Sequence, residues 1–204
     1  MGFYNDQILP RGIDLVMRGR EYGQLRARAT AGLTGRVLEI GFGSGLNVPH
    51  YPPRLTRVWA LDPATVGRRL AARRVAASPV PVTYIGLDAQ VIPLDDASVD
   101  GVLSTWTLCT IPDASAALAE VRRVLRPGGA LRFVEHGRSP DAKVAHRQDQ
   151  FTPLHRRFIG GCHINRPIDR LVTGAGLTLT ALKTYYVSGP RITGYTFEGV
   201  AARP

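Results

Sequence analysis

The sequence predicts an α/β domain built on a mostly parallel sheet. Three observations carry that expectation. Short apolar runs bounded by turn residues alternate with helical patterns from residue 36 to the end. The first run, Val37–Ile40, flows into a glycine loop, Gly41-Phe42-Gly43-Ser44-Gly45. Acids then stand at or just past the ends of the next two runs, at Asp62 and Asp88. A chain of 204 residues holds one substantial core and is short for two, so a single domain over 1–204 is expected.

Residues 1–33 read as helical, with Ile13, Leu15, Val16, Leu25 and Ala29 as contact positions, and are expected to cap the glycine loop. Buried strands follow at Val37–Ile40, Val58–Leu61, Val82–Ile85, Val99–Ser104 and Ala130–Val134. Residues 64–77, rich in Ala and Arg, form a helix between the second and third strands. The clearest helix is Ala114–Leu125, with Asp113 as its N-cap and Pro127-Gly128-Gly129 as its stop. Residues 137–166 are an insertion carrying His146, His155, His163, Phe151 and Phe158. Ligands of open α/β sheets bind outside the carboxyl ends of the strands, so this insertion is expected to form a lid there. Val172–Leu182 gives a last helix turning through Gly174-Ala175-Gly176 into a strand. Thr193–Ala201 alternates apolar and polar residues, as a final strand near the sheet edge does.

Composition excludes several classes. Hydrophobic residues make up 44%, an ordinary value for a globular protein. No apolar run approaches the roughly 18 residues of a membrane span. The first residues lack the layout of a signal peptide, which with two cysteines of no metal-ligand spacing points to a cytoplasmic protein with reduced thiols. The formal charge of +10 raises a nucleic-acid partner. The basic residues, however, are scattered as doublets such as Arg68-Arg69 and Arg156-Arg157, and only Lys143 and Lys183 are not arginine. A solvated arginine-rich surface is the better account, and no nucleic-acid partner is expected.

The chemistry concentrates at the strand ends. Glycine lacks a Cβ, so a G-x-G-x-G loop turns sharply and brings backbone close to a ligand. Glu39, just upstream, either orders this loop or reaches a cationic ligand. The dinucleotide fingerprint needs its third glycine one position later, where this chain has Leu46. Asp62, 17 residues beyond Gly45, is placed to accept from both hydroxyls of a ribose. Asp88 and Ala89 are placed for the amine and a ring nitrogen of an adenine. Trp106 and Cys109, past the fourth strand, then stand near the reactive end of the ligand, or Trp106 is core packing. Asp100 reads as the cap of a turn.

These segments resemble the class I S-adenosylmethionine-dependent methyltransferases. The likeness runs through V-L-E-I-G-F-G-S-G, A-L-D-P, G-L-D-A-Q-V-I-P-L, S-V-D-G-V-L-S-T and V-L-R-P-G-G, over residues 36–136. It implies a Rossmann-like sheet of seven strands with helices on both faces and the last strand antiparallel. It also implies S-adenosylmethionine as cofactor and S-adenosylhomocysteine as product. Glu39, Gly41, Gly43 and Gly45 would face the methionine part, Asp62 the ribose, Asp88 and Ala89 the adenine, with Thr105 alongside. N-V-P-H-Y-P-P, T-L-C-T-I, F-V-E-H, G-C-H-I-N-R and I-T-G-Y-T-F are similar to the methyltransferase-like thiol S-methyltransferases, which methylate small alkyl thiols. Animal members of that family begin with a hydrophobic anchor, and residues 1–33 contain no such run.

The expected partner is thus a small-molecule methyl acceptor, with a thiol first in line. An acceptor thiol or phenol must lose a proton. His136, directly after the fifth strand, is the expected base, unless it simply bonds loop backbone. His155 and His163 are further candidates, and Arg166 either pairs with an acidic substrate or braces the lid. Lipid amines, quinones and phenols are alternative acceptors, and a non-catalytic S-adenosylmethionine-binding protein has the same ligand motifs. Ser104-Thr105-Trp106-Thr107 replaces the N-P-P-Y-like motif of base-amine methylation.

Overall fold

The computed structural model describes residues 8–63 and 65–204. The first seven residues of the expected cap and Ala64 lie outside the described residues. Two helices, α1 (Leu9–Val16) and α2 (Arg20–Thr30), precede β1 (Gly35–Ile40). Then come β2 (Leu55–Leu61), α3 (Thr65–Ala76), β3 (Val82–Gly86), β4 (Val99–Thr105), α4 (Ala114–Val124) and β5 (Leu125–His136). The chain closes with α5 (Ala142–Phe158), α6 (Ile168–Gly174), β6 (Thr178–Tyr186), α7 (Arg191–Gly194) and β7 (Tyr195–Ala202).

The seven strands form one sheet in the order β3-β2-β1-β4-β5-β7-β6. The pairings from β3 through β5 are parallel, and β7 runs antiparallel to both β5 and β6. Strand order reverses at β1, whose neighbours are β2 on one side and β4 on the other. Connections from these strands therefore leave to opposite faces, and a crevice opens at their carboxyl ends.

Alternation along β1 divides the core. Val37 packs with Leu25, Ala29, Phe42 and Val58 on one face. Leu38 and Ile40 pack with Leu118, Val121 and Ile168 on the other. Each face of this sheet is thus roofed by helices, α2 and α3 against α4 and α6, and its central strands read as unbroken apolar runs. Asp113 caps α4 by accepting from the amides of Ser115 and Ala116 at 3.0 and 2.9 Å.

One sequence expectation gives way. The Pro127-Gly128-Gly129 run does not stop α4 in a loop. The helix ends at Val124, β5 begins at Leu125, and the run is a bulge inside that strand where the pairing shifts from Val99↔Leu125 to Gly101↔Ala130. The final strand lies near the sheet edge, as its alternation predicts: β7 is inserted between β5 and β6, and β6 is the exposed edge. On β7, Glu198 accepts from Arg28 at 2.8 Å and from the Tyr185 hydroxyl.

The insertion of β7 brings Gly199 beneath the ring of fully buried Phe133. A Cβ at Gly199 would sit 2.4 Å from Phe133 Cζ. Gly199→Ala is expected to cost about 1–3 kcal/mol through forced repacking. Urea unfolding measures it, and a loss within error of zero would show that the β5–β7 packing is looser than described.

Candidate active site

The glycine loop is held by backbone before any side chain contributes. The amides of Gly41 and Phe42 both donate to the Leu61 carbonyl at the end of β2, at 2.8 and 3.3 Å. Gly41 has φ +68°, and a Cβ there would lie 1.9 Å from Thr107 Oγ1, so position 41 admits only glycine. Gly43 donates its amide to Asp62 Oδ2 at 2.7 Å. The carboxylate at the tip of β2 thereby fixes the loop at the tip of β1. The first turn of α3 closes from the other side, Gly67 standing against the Gly43 carbonyl.

Beneath the loop lies a buried polar network. The fully buried Glu39 accepts from the Tyr51 hydroxyl at 2.6 Å and from Asn47 Nδ2 at 3.0 Å. Asn47 Oδ1 accepts from Arg26 Nη1 at 2.9 Å, and the same Nη1 donates to Thr105 Oγ1 at 3.0 Å. Burial pushes the Glu39 carboxyl up to about 7, against the pull of Tyr51, Asn47 and Arg26. Burial likewise lowers Arg26, to about 10.

One cavity of about 780 Å³ runs along the strand tips. At one end it is lined by Asp62, Asp88 and Ala89, in the middle by Gly41, Gly43, Arg26 and Thr105, and at the far end by Trp106, Cys109, His136, His155 and Cys162. Leu9, Gly12, Ile13 and Val16 of α1 and Ile159, just past α5, close it from above. Trp106 has φ +53° and sits edge-on to Tyr22, with the Arg26 guanidinium 4.9 Å from its ring centre. That left-handed backbone, rare for a bulky residue, turns the chain at the end of β4 so that the indole enters the cavity.

At the far end two cysteines distant in sequence meet. The donor atoms of Cys109, His136 and Cys162 all lie within 4.8 Å of one another, and both cysteines are free and buried. His136 Nδ1 is 3.9 Å from Cys162 Sγ. The thiols share a proton unequally. Hydrogen bonding to Cys162 and burial push Cys109 up, while the Cys109 thiol and the neighbouring His136 and His155 draw Cys162 down. The segment around Cys109 is shaped from below by Glu135, fully buried, which accepts from Ser104 Oγ at 2.6 Å and from the amides of Thr107 and Cys109 at 3.0 and 3.4 Å.

Residues 38–133 match the family model of a methyltransferase domain. Human thiol S-methyltransferase TMT1B is 35% identical over 68% of this chain, which spans 59% of that protein. Human thiol S-methyltransferase TMT1A is 28% identical over 92% of this chain and 75% of its own length. A crystal structure of a putative methyltransferase from Bacillus halodurans is similar in fold, with a TM-score of 0.73, 19% identity and coverage of 91% of this chain and 100% of that one. The chain carries a class I methyltransferase domain. Its cofactor is S-adenosylmethionine.

Within this domain the expected site residues divide. Gly41, Gly43, Asp62, Asp88, Ala89, Thr105, Trp106, Cys109, His136 and His155 line the cavity. Four others do not. Glu39 is spent beneath the loop. Gly45, at φ +72°, faces Ala71 of α3 and Phe42 rather than the cleft. His163 is drawn to the Cys109 carbonyl, which its Nδ1 meets at 3.2 Å and its backbone amide at 2.7 Å. Arg166 donates to the carbonyls of Leu108 and Pro112, bracing residues 137–166 against the segment after β4. The sequence reading passed over Arg26, Asn47 and Tyr51, whose partners are remote in the chain. For Asn47 and Tyr51 the N-V-P-H-Y run directly after the glycine loop was an available signal.

The raised Glu39 carboxyl has a consequence for the methyltransferase domain's stability. The folded chain holds this proton more tightly than the unfolded chain does, so the contribution of Glu39 to stability is fully present below about pH 4.5 and is lost as pH rises to about 7. Burial raises Glu135 in the same direction. Glu39→Gln should flatten the fall by up to about 1.4 kcal/mol per pH unit across that window. Urea unfolding at stepped pH measures it, and an unchanged slope in the variant would mean that Glu39 is ionised throughout.

Proposed function

We propose that the cavity seats S-adenosylmethionine along the strand tips and that the enzyme methylates a small apolar thiol. The observation that carries this reading is continuity. A single cavity joins the Asp62–Asp88 end, suited to an adenosine, to a sulfur- and imidazole-lined end suited to the acceptor. Its size falls in the range of about 300–1,000 Å³ usual for small-ligand sites. The thiol follows from the likeness to thiol S-methyltransferases and from an apolar cover of Leu9, Ile13, Val16 and Ile159.

The residues fit the cofactor. Arg26 is buried, lines the cavity, and its Nε has no hydrogen-bond partner among the described residues. A buried guanidinium N–H without an acceptor is costly, and the methionine carboxylate supplies one. Asp62 takes the ribose hydroxyls while its other contact, to Gly43, keeps the loop in register. Asp88 is already turned by its own bonds to the Gln90 amide and side chain, which leaves it at the cavity's outer rim, where an adenine amine would meet it. When bound, the cofactor supplies a methyl group activated on a sulfonium. The protein's work is then to hold the acceptor in line with that group and to exclude water. We take residues 8–33 and 137–166 as the covers that do so. The acceptor's proton departs at the His136 end, where imidazole faces the cavity.

Asp62→Ala should weaken S-adenosylmethionine binding by roughly 2–3 kcal/mol in calorimetry, the loss of charge-assisted hydrogen bonds. His136→Ala should slow turnover by about 100-fold while leaving that affinity unchanged. Radiolabelled methyl transfer to a panel of alkyl thiols, phenols, amines and phospholipids tests the substrate. Label in an alkyl thiol is the expected result. Label confined to an amine or a lipid headgroup overturns the thiol reading, and tight cofactor binding with no labelled acceptor points to a sensor.

A further inference from the structure

We propose that Cys109, Cys162 and His136 form a binding site for a thiophilic divalent cation of the zinc type, with its remaining coordination position open to the cavity. The site itself stands on geometry. Its use toward a thiol rests on the substrate reading above.

Three donor atoms, two sulfurs and one imidazole nitrogen, lie within 4.8 Å of one another. Around a tetrahedral ion with bonds of about 2.3 Å to sulfur and 2.0–2.1 Å to nitrogen, donors stand roughly 3.5–4 Å apart. The His136 Nδ1–Cys162 Sγ separation of 3.9 Å is already there. The third donor, Cys109 Sγ, lies within 4.8 Å of both. Two thiolates and an imidazole select a soft or borderline ion over magnesium or calcium, which prefer oxygen. Three protein ligands with one place left open is the pattern of catalytic rather than structural zinc.

The surroundings hold the donors without supplying a fourth. The backbone amide of His163 donates to the Cys109 carbonyl at 2.7 Å, so the segments bearing the two cysteines are stapled before any ion arrives. Glu135 accepts the Cys109 amide at 3.4 Å, and it precedes His136 directly, so one residue pair orients two donors. His155 bonds the Cys162 thiol and stands 3.4 Å by its Nδ1 from the Cys162 carbonyl, but it lies outside the group of three converging donors. Ile164 and Ile192 pack behind the cysteines and keep the rear of the site dry. The fourth side is the cavity, which all three donor residues line. Two thiolates balance a divalent ion's charge, and the neighbouring Arg166 and Glu135 offset one another, so the buried site carries little net charge.

An ion here changes what His136 does. Its Nδ1 is spent on the metal, and acidification of the acceptor passes to the ion, which lowers the pKa of a coordinated thiol. The acceptor's S–H proton leaves to solvent as sulfur takes the open position. That sulfur's electron pair then forms the new S–CH₃ bond while the methyl–sulfonium bond breaks, releasing S-adenosylhomocysteine. Zinc is not oxidised or reduced at any point.

The test uses untagged full-length protein, reduced and freed of metal with a chelator, then titrated with zinc or cobalt(II) and desalted. One equivalent should be retained, and the cobalt form should show sulfur-to-cobalt charge transfer with the intense visible bands of a tetrahedral site. Cys109→Ser, Cys162→Ser and His136→Gln should each weaken metal affinity by at least about 100-fold, with unchanged circular dichroism confirming that the variants fold. Retention of well under one equivalent by the reduced wild type, or equal retention by the serine variants, overturns the site. So does a stable Cys109–Cys162 disulfide whose reduction restores no metal binding. Adding ethanethiol should shift the visible bands of the cobalt form. A clear cobalt spectrum that ethanethiol leaves unmoved refutes the open position. A thiol panel without labelled product, beside a normal cobalt spectrum, refutes the substrate reading and leaves the metal site standing.

Discussion

A buried carboxylate under a glycine loop governs this structure. Glu39 cannot reach water, and an unpaired charge there would cost several kcal/mol, so its partners are obligatory. Those partners come from three places. Tyr51 and Asn47 lie beyond the loop, Arg26 on α2, and Thr105 at the end of β4 joins through Arg26 and Asn47. Satisfying one side chain thus ties the N-terminal helix, the loop and two central strands into a single unit. The glycine loop above rests on this platform and is held from the side by the Leu61 carbonyl and by Asp62. Replacing the network by apolar residues would relieve the burial but remove the cation facing the cavity. On the proposed reading, the polar interior therefore serves ligand recognition as well as the fold.

How much of this was legible follows from where each interaction lies in the chain. The strands of the central sheet are buried on both faces, so apolar runs reveal them directly. Gly41 and Asp62 were readable because a turn and a strand end constrain residue type locally. Glu39 was half readable: of the two roles open to it, ordering the loop is the one seen, since Tyr51 and Asn47 take its oxygens. Arg26 was not, because it sits in a helix crowded with arginines and nothing local separates the buried one from its exposed neighbours. Cys109 and Cys162 defeat spacing rules altogether. They lie 53 residues apart and meet only because residues 137–166 fold back across the end of β4. The place of β7 near the sheet edge was readable from its alternation, whereas the ties of Glu198 to Arg28 and Tyr185 were not, because those partners lie elsewhere in the chain.

The high arginine content finds an explanation in the same contacts. Arg123 donates to the carbonyls of Ile92 and Leu94 at 2.9 and 2.8 Å while also pairing with Glu120 and Asp96. Arg132 caps the Ala29 carbonyl at 2.7 Å, and Arg74 reaches the Ser44 carbonyl at 2.6 Å and Asp14 at 3.1 Å. These guanidiniums satisfy backbone acceptors at helix ends and in loops, a task that the planar fork performs better than an ammonium does.

The cavity is built from two kinds of scaffold, and this divides its functions. Asp62, the glycine loop and Thr105 stand on or directly beside the central strands, where burial and ladder hydrogen bonds fix positions closely. Such a base suits a cofactor that is the same in every turnover. The opposite wall comes from α1, tied to α3 through Asp14 and Arg74, and from the chain around α5, tied through Arg166 and the fully buried Gln148. On the proposed reading, acceptor entry and choice belong to that wall. The exception is the cluster of Cys109, His136 and Cys162, which has one donor at each of three sources: the end of β4, the end of β5 and the segment after α5. A group drawn from all three stands where the two walls meet at the far end of the cavity, and the His163 amide on the Cys109 carbonyl already holds those walls together.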